Sequence, residues 1–127
     1  MHKQEIFDTV VNHLINQKQK SVKEGNKTNC LYRGPNGLKC AVGCLIPDDV
    51  YEEYMEENFT NLLSQYGDVL PFYFNKEYIL LYDLQLCHDN CPTTNDNFFN
   101  IYDLKNLLNN VGARYKLNIR VLDQIVI

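Results

Sequence analysis

The stretch KEYILLYDLQLCHDN, residues 76–90, decides the fold. Leu80, Leu84, Cys87 and, just beyond it, Cys91 recur every three or four residues and share one helical stripe. Tyr78, Tyr82 and Leu86 fall on the opposite side. A helix that is apolar almost all round is a central helix with partners on two faces. The segment therefore predicts a mainly helical domain built around it. Cys91-Pro92 closes it, because the residue before proline avoids helical geometry.

Outward toward the N-terminus, Ile6, Phe7, Val10, Val11, Leu14 and Ile15 make one apolar stripe and predict a helix over residues 4–20. His13 sits at the edge of that stripe. Residues 21–37 read as a polar connection. Gly34-Pro35-Asn36-Gly37 is a strong turn signal, and the residues around it predict a short hairpin near residues 30–40. Outward toward the C-terminus, Thr94 or Asn95 is expected to cap a helix reaching about Val111. Its buried face would be Ile101, Leu104, Leu108 and Val111, and Gly112 would be its stop. The tail is ambiguous. Tyr115, Leu117, Ile119 and Val121 alternate as in a strand, whereas Ile119, Leu122, Ile125 and Val126 suit a helix. With a helix starting at Pro47 and a short one over Thr60 to Tyr66, the count is about five helices in a single domain spanning 1–127.

Between these helices lies CAVGCLIPD, residues 40–48. Cys40, Ala41, Gly43 and Cys44 are small, and Leu45 and Ile46 are large. The pattern predicts a short buried helix pressed against residues 76–90, near Cys87 and His88. Pro47 suits a first helical position, and Asp48 and Asp49 suit a first turn, where the helix dipole favours negative charge. Cys40, Gly43, Pro47 and Asp48 are therefore read as a structural motif.

Composition is ordinary for a folded domain: 45% hydrophobic and 22% charged residues in a chain of 127. No apolar run is long enough to span a membrane, and the polar N-terminus is not expected to act as a signal peptide. The five cysteines are expected to be thiols in a reducing compartment. Charge is uneven. Residues 1–39 carry a net +4, residues 40–103 a net −11 and residues 104–127 a net +3. The acidic middle argues against a long nucleic acid as partner.

Several residues invite chemistry. Cys40 and Cys44 are four apart, as are Cys87 and Cys91. On two helices they would present four thiolates to a metal, with His88 and Cys30 as further ligands. Against this, zinc knuckles space their cysteines by two, and Cys87 and Cys91 continue a leucine stripe as small hydrophobes. No metal or other cofactor is expected. A nucleophile needs a base and an orienting acid. His88-Asp89 beside a cysteine supplies those types, but neighbours on a helix do not face each other. Gly-x-Ser-x-Gly and His-Glu-x-x-His motifs are absent, so the reading leans away from an enzyme. Arg33, Lys39, Arg114 and Arg120, with Tyr32 and Tyr115 for stacking and His88 beside them, are candidate contacts for a nucleotide phosphate, within one chain or between subunits of a homo-oligomer.

Cys30-Leu-Tyr-Arg33, Gly37-Leu-Lys-Cys40-Ala-Val-Gly43-Cys-Leu-Ile-Pro47-Asp48, Tyr51, Met55-Glu56, and then Leu84-Gln85 and His88-Asp89, resemble a family of small tailed-bacteriophage proteins. The resemblance runs from the first helix to about Asp89. It implies a gene expressed in the cytoplasm of an infected bacterium, and an accessory protein that acts by binding. The expected partner is a host protein, such as a defence component or sensor toward which Glu52, Glu53, Glu56 and Glu57 could mimic nucleic acid. The alternatives are a sponge for a nucleotide signal, and a Cys/His-dependent metal-binding protein or hydrolase.

Overall fold

The computed structural model describes residues 1–125. It is mainly helical, with five α-helices and one small two-stranded sheet among the described residues. Helix α1 spans Lys3–Gln17. The side chain of His2 accepts from the Glu5 amide, and the Glu5 carboxylate accepts from the His2 amide, so both ends of a capping box are present. Ile6, Phe7, Val10, Val11 and Leu14 are wholly buried. Each such burial stabilises the fold by roughly 1.5–3 kcal/mol. Helix α1 packs on α4 (Tyr78–Asn90), which in turn packs on α5 (Ile101–Arg114). Short helices α2 (Phe59–Tyr66) and α3 (Tyr73–Lys76) complete the core through Phe59, Leu62, Tyr73 and Phe74. Among the described residues no helix is long and apolar enough to cross a membrane.

Several expectations are corrected. The hairpin lies earlier than residues 30–40: β1 (Val22–Lys23) pairs antiparallel with β2 (Asn26–Cys30) through a turn at Gly25, whose φ is +77°. The Gly34–Gly37 turn does form, with Asn36 and Gly37 left-handed, but only one bridge, Arg33 to Lys39, closes it. No helix starts at Pro47. The backbone turns there, Glu52 is extended, and a single 3-10 turn follows at Glu53–Met55. The side chains that would have decorated such a helix are committed elsewhere, Asp48 to Arg33 and Glu56 to the backbone of Tyr32 and Arg33.

Helix α4 is central on one side only. Tyr78, Ile79 and Tyr82 remain 50%, 55% and 49% exposed. Helix α5 is capped by Asn100, whose side chain accepts from the Asp103 amide, and not by Thr94 or Asn95. Gly112 does not stop α5 but lies buried inside it. A Cβ there would press on Ile119 and Phe7, so its role is close approach. The tail is neither strand nor α-helix: a 3-10 segment, Arg120–Gln124, follows left-handed Lys116 and buries Leu122. The expectation for Val126 lies outside the described residues.

Candidate functional site

His88 is completely buried near the C-terminal end of α4. The Ser21 amide donates to its Nε2 at 2.9 Å. An N–H can only donate, so Nε2 is the acceptor nitrogen and Nδ1 carries the proton. Nδ1 then donates to Asp89 Oδ1 at 2.8 Å. Sequence spacing argued that Asp89 does not orient His88. It does, because Asp89 stands in the last turn of the helix. Burial holds His88 below its ordinary pKa. For Asp89, burial works to raise the pKa, but hydrogen bonds from His88, Cys30 and Gln85 outweigh it and hold the carboxyl below its usual range.

Gln85, one helical turn earlier, joins this group to the CAVGCLIPD segment. Its Oε1 accepts from the Val42 amide at 2.9 Å, and its Nε2 donates to Asp89 Oδ1 at 2.7 Å. The segment therefore does dock on α4, and the hydrogen bond that holds it there runs through Gln85. Gly43 meets a different surface. A Cβ at Gly43 would overlap the carbonyl of Tyr32. The Tyr32 segment is itself fixed by Glu56, whose two carboxylate oxygens accept from the amides of Tyr32 and Arg33 at 2.8 and 3.0 Å. Glu56 is thus a structural acceptor and not part of an acidic surface.

Lys20 is buried alongside. Its Nζ donates to the carbonyls of Asp89 and Cys91, both at 2.8 Å, which satisfies the free carbonyl end of α4 with a cation. Over this group opens a cleft of about 740 Å³. Cys30, Tyr32, Gln85 and Asp89 line it, with Phe59 and Tyr82 as aromatic walls. Residues widely separated in the chain therefore meet at one place. Sequence reasoning missed Lys20, at the end of the predicted first helix, and Ser21, at the start of the predicted connection; the helix in fact stops at Gln17. Neither has a signature there, since both act on partners almost seventy positions away.

The other predicted residues are dispersed. Arg33 and Lys39 both face Asp48, at 2.8 and 3.5 Å, and the Arg33 guanidinium lies 4.9 Å from the Tyr51 ring centre. The Arg33 side chain holds Asp48 below the usual carboxylate range. Arg114 and Tyr115 both bind Asp83 on α4, at 2.9 and 2.6 Å. Arg120 is exposed in the C-terminal 3-10 segment. None of these cations lines the cleft. Pro47 is half-buried and starts a turn. His13 hydrogen-bonds the Lys39 carbonyl at 2.8 Å.

The cysteines do not form a four-thiolate centre. Among the described residues the close grouping of ligating atoms is Cys30, His88 and Asp89, within 4.8 Å of one another. That grouping suits a metal poorly. A ligating histidine normally donates its second N–H to an acceptor. Here the second nitrogen faces a donor, the Ser21 amide, so binding through Nδ1 would leave both nitrogens without a proton. The same geometry disqualifies a cysteine nucleophile. His88 has no free lone pair for the Cys30 proton, and burial with the neighbouring Asp89 pushes the Cys30 thiol up to about 12. Burial also pushes Cys44 and Cys87 up to about 12 and Cys91 up to about 11. What the arrangement can do is present an ionised carboxylate in an aromatic-walled cleft. No protein-family model matches the chain, and no curated protein or solved structure is significantly similar to it.

Proposed function

We propose that this chain is a small bacteriophage accessory protein that works by binding a host protein. The observation that carries the reading is the outer face of α4. Tyr78, Ile79 and Tyr82 stand exposed in one row, and with Phe59, Thr60 and Leu63 of α2 they line an apolar groove of about 430 Å³. Contiguous exposed apolar surface of this kind marks a protein interaction site, and tyrosine gives large contact area at low entropic cost. The interior polar groups support the same reading, because His88 and Glu56 are committed to the fold. A nucleotide sponge has less support: Arg33 with Lys39, and Arg114 with Tyr115, are drawn to two different carboxylates, Asp48 and Asp83.

The test is affinity capture from a bacterial lysate with tagged wild-type protein and with Ile79→Glu. Ile79 is exposed, so the substitution should change stability by no more than about 0.5 kcal/mol. One host protein should be retained in stoichiometric amount by the wild type and lost by the variant at unchanged melting temperature. Equal retention by both, or retention of nothing by the wild type, sinks the reading.

A further inference from the structure

We propose that the cleft over Asp89 is a receptor for a guanidinium group, with the Asp89 carboxylate as its anionic anchor and Tyr82 and Phe59 as its aromatic walls. Four other charged groups line the cleft. The Lys20 ammonium is held by two backbone carbonyls, and Lys27 Nζ donates to the Asn95 carbonyl at 2.7 Å. The Glu56 carboxylate is filled by two backbone amides and by the Tyr51 hydroxyl, the last at 2.6 Å. Glu57 is exposed at the rim.

Asp89 differs from all of these. Its charge is met only by neutral donors. The hydrogen bonds from His88 Nδ1 and Gln85 Nε2 both land on Oδ1, and the Cys30 thiol is the remaining, weak donor to the carboxylate. The side chain is 31% exposed, and that exposure is into the cleft. A carboxylate removed from most of its water and left without a counter-ion favours a cation as its partner.

The walls select the kind of cation. A guanidinium is planar, stacks on aromatic faces and sheds water more readily than an ammonium. It also brings several donors, and the side chain of Asn90 beside Asp89 offers a further acceptor. An ammonium would have to give up tightly held water to sit between Phe59 and Tyr82.

Two sources share this chemistry: a small guanidinium metabolite, and an arginine side chain of a partner protein. The second rests on the binding reading above and suits the geometry, since Phe59 and Tyr82 line both the cleft and the apolar groove.

The experiment is an NMR titration of the intact protein, following backbone amides. Ethylguanidinium should give saturable millimolar binding, with shifts confined to residues 29–32, 56–59 and 82–90. Asp89→Asn, which keeps an acceptor for His88 and Gln85, should weaken binding at least about tenfold. Tyr82→Ala, at an exposed position, should weaken it severalfold without loss of fold, and decides the matter if Asp89→Asn does not fold. Tighter binding of a short peptide with one central arginine than of ethylguanidinium assigns the site to a partner's side chain. Equal affinity assigns it to a free small molecule. Three results overturn the proposal: no saturable binding, binding unaltered in the folded variants, or butylammonium binding as tightly as ethylguanidinium. Any of them leaves the Ile79-dependent capture of a host protein free to succeed or fail by itself.

Discussion

Replacing Gly43 with alanine adds one methyl group, and its cost can be worked from the contacts. The new Cβ would overlap three atoms of Tyr32, the carbonyl oxygen, the carbonyl carbon and Cα. All are backbone, so no rotamer change relieves the clash. The Tyr32 segment is also anchored on several sides. Glu56 grips the amides of Tyr32 and Arg33, the Tyr32 hydroxyl donates to the Glu57 carbonyl at 2.7 Å, and Ser21 Oγ donates to the Leu31 carbonyl at 2.8 Å. Making room means breaking or stretching at least one of these. A hydrogen bond to a charged group contributes about 1.5–3 kcal/mol, and overpacking adds about 1–3 kcal/mol. Against this, alanine restricts the unfolded chain and returns roughly 0.4–1 kcal/mol. The net loss is then about 2–5 kcal/mol, a large part of the ~5–15 kcal/mol typical of a domain. In urea denaturation, with a slope of about 1–3 kcal/mol/M, the midpoint should fall by at least about 0.7 M, and Gly43→Val should be worse. Cys44→Ala next door loses a half-buried thiol that donates to the Ala41 carbonyl, and should cost about 1 kcal/mol or less. A Gly43→Ala protein within about 0.5 kcal/mol of wild type would refute the close-approach argument.

Two further outcomes follow from the buried network. His88 and His13 both have pKa values lowered by burial, so below about pH 6.5 the unfolded chain binds protons that the native state refuses, and stability should fall with pH by up to ~1.4 kcal/mol per unit for each group. Urea midpoints measured from pH 7.5 to 5 check this; a flat profile would show that His88 is not held neutral. Gln85→Leu keeps the bulk but leaves the buried Val42 amide without an acceptor and removes one of the donors to Asp89, and should cost about 1–3 kcal/mol in the same assay, whereas Asn90→Ala on the exposed side of α4 should stay within about 0.5 kcal/mol.

Helical periodicity carried most of the architecture. The stripe Ile6–Leu14 and the stripe Leu80–Cys91 are read directly from spacing, because burial of one face repeats every turn. Two local readings failed for the same reason. Pro47-Asp48-Asp49 is a good helix start and Glu52 to Glu57 a tolerable helix interior, but Arg33 and the amides of Tyr32 and Arg33 claim Asp48 and Glu56. Gly112 reads as a stop, but Ile119 and Phe7 need its missing side chain. Long-range partners outweighed local propensity in each case. The site was less legible still. His88 and Asp89 are visible in the sequence, yet the partner that fixes their chemistry is a backbone amide, and amides leave no trace in residue identity.

That amide bears on function. Among buried polar groups, what matters for chemistry is which lone pairs and protons remain after the fold has taken its share. His88 has none: one nitrogen is closed by Ser21 and the other by Asp89. Glu56 has all but closed both oxygens on two amides and a hydroxyl. Asp89 is the exception, with two neutral donors on Oδ1, a weak thiol donor beside them and no cation among the described residues in a salt bridge with it. The residue that could have closed it is Gln85, one turn away on the same helix. A cation at that position would neutralise Asp89 within the chain, as Arg114 does for Asp83. Glutamine instead orients the carboxylate and leaves its charge unpaired. Replacing Gln85 with arginine should therefore fill the cleft from inside and abolish guanidinium binding, while the loss of the Val42 acceptor costs about 1–3 kcal/mol of stability. Retained binding in a folded Gln85→Arg protein would show that the uncompensated charge of Asp89 is not what the ligand recognises.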